Sequence, residues 1–150
     1  METETKDKQK AAEVLRQEGY SEKVIDHWLN PRNIGRGNRK KCDGYSDWYT
    51  GPCGDSMEIC LTVRNNVISR ATFFSDICIG VVSSASALTE MLQDMTVSEA
   101  AAITSDDLLE ELGGLPDHYI HCAELAVSAL SLAIRDYLSF AREPWKKAYL

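Results

Sequence analysis

The feature that most restricts what this chain can fold into is a change of period near residue 78. Met57, Ile59, Leu61 and Val63 alternate with Glu58, Cys60, Thr62 and Arg64, the two-residue repeat of a strand with one buried and one mixed face. Asn65-Asn66 supplies a tight turn because Asn tolerates positive φ, and Val67 to Phe74 returns as the next strand. Tyr45 to Tyr49 can pair beside them. After Cys78 the repeat becomes helical through Val82, Leu88, Met91 and Leu92, with shorter helical stretches around 97–102 and 105–112 closed by Gly113-Gly114-Leu115-Pro116. A long helix from about Ile120 to Ala141 carries Leu125, Ala129, Leu132, Ala133 and Ile134 on one face, and Pro144 breaks it. Strands first and helices later predict an α+β fold: an antiparallel sheet of about three strands covered by helices.

Upstream, Ser21 is a natural N-cap for a helix with Val24, Ile25, Trp28 and Leu29 as its apolar stripe, stopped by Asn30-Pro31. Residues 1–18 are mostly polar and read as an extension, a short weak helix or disordered. The domain proper is expected over 19–141, with 142–150 as a C-terminal tail. A chain of 150 residues is long enough to bury one core without disulfide staples.

The formal net charge of −7 argues against nucleic acid as the main partner, since phosphate binding needs clustered cations. The basic run Arg36 to Lys41 is short, and reads as a solvated loop or as a docking patch for an acidic protein. The first ten residues lack an apolar stretch of signal-peptide type, and no run approaches a membrane span, so no membrane association and a cytoplasmic location are expected.

Five cysteines without an export signal are expected to be reduced thiols or metal ligands, not a disulfide framework. Cys53 lies in Gly51-Pro52-Cys53-Gly54-Asp55, a turn with a carboxylate two residues beyond the thiol. Cys78 and Cys122 each stand at the start of a predicted helix, where unpaired N–H groups favour thiolate. His121 adjoins Cys122 as an alternate ligand or proton donor. Cys42, in the basic loop, and Cys60, in a strand, lack such settings and are left out of the site, and His27 and His118 are taken as structural. The common closed zinc signatures are absent: there is no C-x2-C pair and no H-E-x-x-H.

The stretch Tyr20 to Gly35 (YSEKVIDHWLNPRNIG), Gly51 to Asp55 (GPCGD), Ser83 to Met91 (SSASALTEM), Leu112 to Pro116 (LGGLP) and His121-Cys122 together resemble the IscU/NifU N-terminal scaffold family, over roughly residues 20–138. The resemblance implies an IscU/NifU-like (SufE/IscU-type) fold in which three cysteines meet at one end. It implies a scaffold, not an enzyme, that accepts sulfur from a cysteine desulfurase and iron to build a labile 2Fe-2S cluster for acceptor or carrier proteins. On the matching positions Cys53, Cys78 and Cys122 would be ligands and sulfur acceptors, Asp55 the carboxylate tied to ligation and lability, and His121 the alternate ligand. Tyr20 matches a tyrosine associated with dimer contacts, implying a homodimer through the N-terminal region. The 44-residue step from Cys78 to Cys122 leaves no room for the insertion of SufU-type sulfur acceptors. The isolated scaffold can carry zinc at the same ligands, and the alternative reading is a divergent zinc-bound interaction or regulatory module that no longer assembles clusters.

Two departures carry expectations. Ile77 and Ile79 flank Cys78 where the family has small residues, and a β-branched residue resists positive φ, so a reshaped pocket is expected. Leu115-Pro116-Asp117-His118-Tyr119 replaces the family's Leu-Pro-Pro-Val-Lys signal and speaks against the dedicated Hsp70-type chaperone.

Overall fold

The alternation at residues 57–63 folds into the central strand of the sheet. The computed structural model describes residues 2–149, in which β1 is Gly44–Tyr45, β2 Tyr49–Thr50, β3 Ser56–Arg64 and β4 Val67–Ser75. The helices are α1 Glu2–Gln17, α2 Glu22–Leu29, α3 Ile79–Leu92, α4 Val97–Ala101, α5 Ser105–Leu112 and α6 Ile120–Arg142, with 3-10 turns at Asp117–Tyr119 and Pro144–Tyr149. This is the expected α+β class with an antiparallel sheet.

β3 and β4 form a hairpin whose turn residues Asn65 and Asn66 both take positive φ, the geometry that matches the twist of the flanking strands. A register shift between Thr62 and Val63 interrupts the ladder. The expected single strand at Tyr45–Tyr49 is instead two: β1 and β2 pair in succession along the same edge of β3, and between them Asp47 adopts φ 61°. The sheet therefore has four strands in three ranks. The positive φ at Asp47 breaks the strand that the aromatic residues around it favour.

Met57, Ile59, Leu61, Ala71 and Phe73 line one face and are buried beneath α3 and α6. Removing these side chains from water is the main stabilising term of the fold. α2 rests on α3, α5 on α3 and α6, and α1 lies along α2, fastened at its end by Arg16 to Glu22. Ser21 caps α2 as predicted and its hydroxyl also donates to the carbonyl of Leu112. Thr96 and Thr104 open α4 and α5 with capping boxes, and Gly113 closes α5 in the left-handed region.

The other face of the sheet is crossed by a strap. Gly35 N–H donates to the Phe73 carbonyl (2.8 Å) at the free edge of β4, and Asp43 N–H donates to the Leu61 carbonyl (2.8 Å) on the opposite side of β3. Residues 35–43 thus pass over the outward side chains of β3. Glu58, only 1 % exposed, accepts from the Tyr45 hydroxyl and lies 3.4 Å from Arg36 Nε. Under the strap Cys42 and Cys60 are joined as a disulfide with Cα atoms 5.4 Å apart. This corrects the expectation of reduced thiols for these two residues: the strap, anchored by Asp43 on the Leu61 carbonyl, lays Cys42 over the outward side chain of Cys60, a juxtaposition no local pattern announces. No helix among the described residues is long and apolar enough to cross a membrane.

Candidate metal centre

Three loops meet at one end of the sheet. The first, Gly51–Asp55, joins β2 to β3. Gly51 N–H donates to the Asp55 carbonyl (2.9 Å), Gly54 N–H donates to the Gly51 carbonyl (3.0 Å), and Gly54 takes φ 91°, so the turn closes tightly with Cys53 exposed at its tip. The second joins β4 to α3 and places Cys78 as the N-cap of α3. The third is the first turn of α6, which carries His121 and Cys122. Asp76 ties the first two loops together: its carboxylate accepts from Ser56 N–H (2.9 Å) while its own N–H donates to the Ser56 carbonyl (3.0 Å).

The sequence-predicted residues fall into two overlapping groups that share Asp55. In Asp55, Cys78 and Cys122 the candidate donor atoms all lie within 4.8 Å of one another, and the same limit holds for Cys53, Asp55 and His121. Cys53 Sγ lies 3.7 Å from Asp55 Oδ2, His121 Nε2 lies 3.6 Å from the same oxygen, and Cys122 Sγ lies 3.6 Å from His121 Nε2. Thiol, carboxylate and imidazole donors at these separations suit iron-sulfur species or zinc.

Burial grades the three thiols: Cys53 is exposed, Cys78 half-buried and Cys122 buried. Burial, then the nearby Cys78, Asp55 and Cys53, push the Cys122 thiol up to about 12. The expectation that a helix start would favour thiolate at Cys122 is therefore overturned. Desolvation and like charge outweigh the helix end, and a bound cation would reverse the balance.

Three residues at this end escaped the sequence reading. A Cβ on Gly80 would lie 2.7 Å from Cys122 Sγ and 3.0 Å from the Tyr119 ring, so only glycine lets the sulfur approach α3. Tyr119 stands over Gly80 and meets the Tyr20 ring at 6.4 Å between centroids. Asp76 is the third. A glycine two residues past a helix-capping cysteine and an acid two residues before it were signals available in the sequence.

Ile77 and Ile79 flank Cys78 without backbone strain. Neither residue takes positive φ, Cys78 has φ −142°, and Ile79 simply begins α3. Ile77 is 89 % exposed beside the site. His27 is buried, with Nδ1 2.7 Å from the Ser86 hydroxyl, and His118 lies against Tyr119, so both stand apart from the donor groups.

Fold and geometry together define a class: small α+β domains that present a thiol-rich donor set where loops meet at one end. Residues 19–143 match the NifU-like N terminal domain, and the chain belongs to that family. It is 42% identical over 118 residues to iron-sulfur cluster assembly scaffold protein IscU 1 of Archaeoglobus fulgidus, covering 79% of this chain and 76% of that protein. It is 40% identical over 122 residues to the IscU scaffold protein of Escherichia coli K12, covering 80% and 94%. Among solved structures, a NifU-like N-terminal protein from Brucella abortus superposes with TM-score 0.64 at 15% identity, over 79% of this chain and 94% of that one. A Fervidobacterium islandicum protein described as a putative scaffold for the SUF system gives TM-score 0.58 at 15% identity, over 77% and 96%. The last two speak to fold alone.

Proposed function

We propose that this protein is a stoichiometric scaffold on which an iron-sulfur cluster is assembled and then released, without turnover of its own. The observation that carries the reading is the mutual 4.8 Å spacing of donor atoms in Asp55, Cys78 and Cys122, with Cys53 beside them on Asp55. The family and its IscU relatives support the scaffold role.

The exposed Cys53, on its Gly-flanked turn, suits receipt of persulfide sulfur from a cysteine desulfurase: its thiolate attacks the outer sulfur, and the desulfurase thiolate leaves. An external reductant of dithiol class must supply two electrons to release each transferred sulfur as sulfide and return Cys53 to thiolate; Cys53, Cys78 and Cys122 would then hold a 2Fe-2S cluster, with Asp55 as the oxygen donor and His121 as its alternate. A hard carboxylate among soft thiolates weakens the hold on the cluster, which transfer to acceptor or carrier proteins requires. A homodimer would use the part of Tyr20 that Tyr119 leaves open. The reactions are placed in the cytoplasm.

Anaerobic incubation with ferrous iron, cysteine and a desulfurase should give a visible cluster chromophore with the native chain and none above background with Cys78→Ser. Zinc that iron and sulfide fail to displace, with no chromophore, would sink the scaffold reading in favour of a zinc-bound module.

A further inference from the structure

The strap carries a second sulfur centre that the scaffold reading does not use. Gly35, Arg36, Gly37 and Lys41 on the strap, and Cys60 and Arg70 on the sheet, line a pocket of about 290 Å³. Its two sulfurs differ in access. Gly37 lies against both, its added Cβ falling 2.6 Å from Cys42 Sγ and 2.9 Å from Cys60 Sγ, but Cys42 is 1 % exposed whereas Cys60 is half-buried and forms part of the pocket wall.

The pocket is also cationic. Arg36 is committed to Glu58 at 3.4 Å and to the Phe74 ring at 4.6 Å. Lys41 and Arg70 have no carboxylate partner among the described residues. In a chain of net charge −7, two unpaired cations beside a disulfide make a local field that concentrates anions against the general repulsion of the surface.

We propose that Cys42–Cys60 is a thiol-exchange site, at which an anionic low-molecular-weight thiol docks against Lys41 and Arg70 and attacks Cys60. The incoming thiolate forms a bond to Cys60 Sγ as the Cys42–Cys60 bond breaks. The electron pair leaves on Cys42 Sγ, which takes a proton from water. A second thiolate attacks the thiol-derived sulfur of the adduct, giving the small-molecule disulfide and the Cys60 thiolate. The protein disulfide is reduced and two thiols are oxidised. The attack falls on Cys60 because Cys42 is buried while Cys60 is part of the pocket wall, and partly exposed disulfides are the ones that exchange readily.

The experiment uses the native chain isolated without reductant, with adducts trapped in acid and mapped by mass spectrometry. Three of the five cysteines should titrate as thiols before treatment. Reduced glutathione should open the disulfide about 10-fold faster, per thiolate, than the cationic thiol cysteamine at low salt, the range expected of electrostatic steering. The adduct should map to Cys60, and the preference should shrink at high salt and in the double variant Lys41→Gln/Arg70→Gln. Five titratable thiols at the outset would overturn the proposal, as would an adduct on Cys42 or equal rates for the two thiols. The salt dependence of the native chain reads the same charge effect without relying on the variant to fold.

Discussion

At the loop end, three sulfurs stand unbonded within reach of one carboxylate, while across the sheet two sulfurs are covalently joined beneath a strap. The difference lies in what delivers each cysteine. Cys53, Cys78 and Cys122 come from three separate loops, so their sulfurs approach without any backbone pairing that would hold two of them at bonding distance. Cys42 lies on the strap that crosses the outward face of β3, and the strap's anchor at Asp43 on the Leu61 carbonyl leaves its Cα 5.4 Å from that of Cys60, inside the range a disulfide needs. A strap laid across a strand makes a staple in one region, and loop convergence gathers a donor set in the other.

The contrast is most sharply tested by exchanging losses. Cys122→Ala should reduce cluster formation, read as the visible chromophore, to background while leaving the urea midpoint of the metal-free chain within the range of ordinary mutants. Cys60→Ser should do the reverse. It leaves the chromophore intact and lowers stability by about 3 kcal/mol, the chain-entropy expectation for closing a loop of this length, measured by urea unfolding of the oxidised protein. If Cys60→Ser abolished the chromophore, the two regions would not be separable.

A smaller effect compares two glycines that each abut sulfur. Gly37→Ala would bring a Cβ within 2.6 Å of Cys42 Sγ, and Gly80→Ala within 2.7 Å of Cys122 Sγ. Each should cost roughly 1–3 kcal/mol, as overpacking usually does, but only Gly80→Ala should also depress cluster yield. Equal yields from the two variants would show that the Gly80 approach is irrelevant to assembly.

The smallest effect lies outside both regions. Burial, then Arg32, hold the His27 imidazole below its ordinary range, while Glu90, Asp26 and Glu111 pull the other way. The folded state therefore binds fewer protons at this ring than the unfolded state does. Stability should fall as the pH drops below about 6.5, the value for an unperturbed imidazole. His27→Gln should flatten the decline in urea midpoint between pH 7.5 and 5.5 without altering the loop end or the strap, and an unchanged slope would remove His27 as its cause.

Much of this layout was legible because it is written in local chemistry. Ser21 announces a helix start, Asn65-Asn66 a hairpin, and Gly113 a helix end, each within a few residues of the feature it controls. The five donor residues were also named from sequence, chiefly because GPCGD and the His-Cys pair occur in the order the IscU/NifU resemblance requires. What escaped depends on long-range contact. Nothing near Cys42 signals Cys60, nothing near Asp76 signals that it holds Ser56, and the break at Asp47 falls inside an aromatic-rich stretch that favours a strand. The thiolate expected at Cys122 failed for the same reason: a helix start is visible in sequence, whereas the three neighbouring acidic groups and the burial around it are not.

The clasp between Asp76 and Ser56 has a mechanical corollary. It fastens the root of the turn bearing Cys53 to the segment that runs into Cys78, so a docking protein that draws the exposed tip outward also pulls on the second thiol. A pull on one thiol would then be felt at the other, through this clasp and the Met57–Ser75 rung of the ladder beside it.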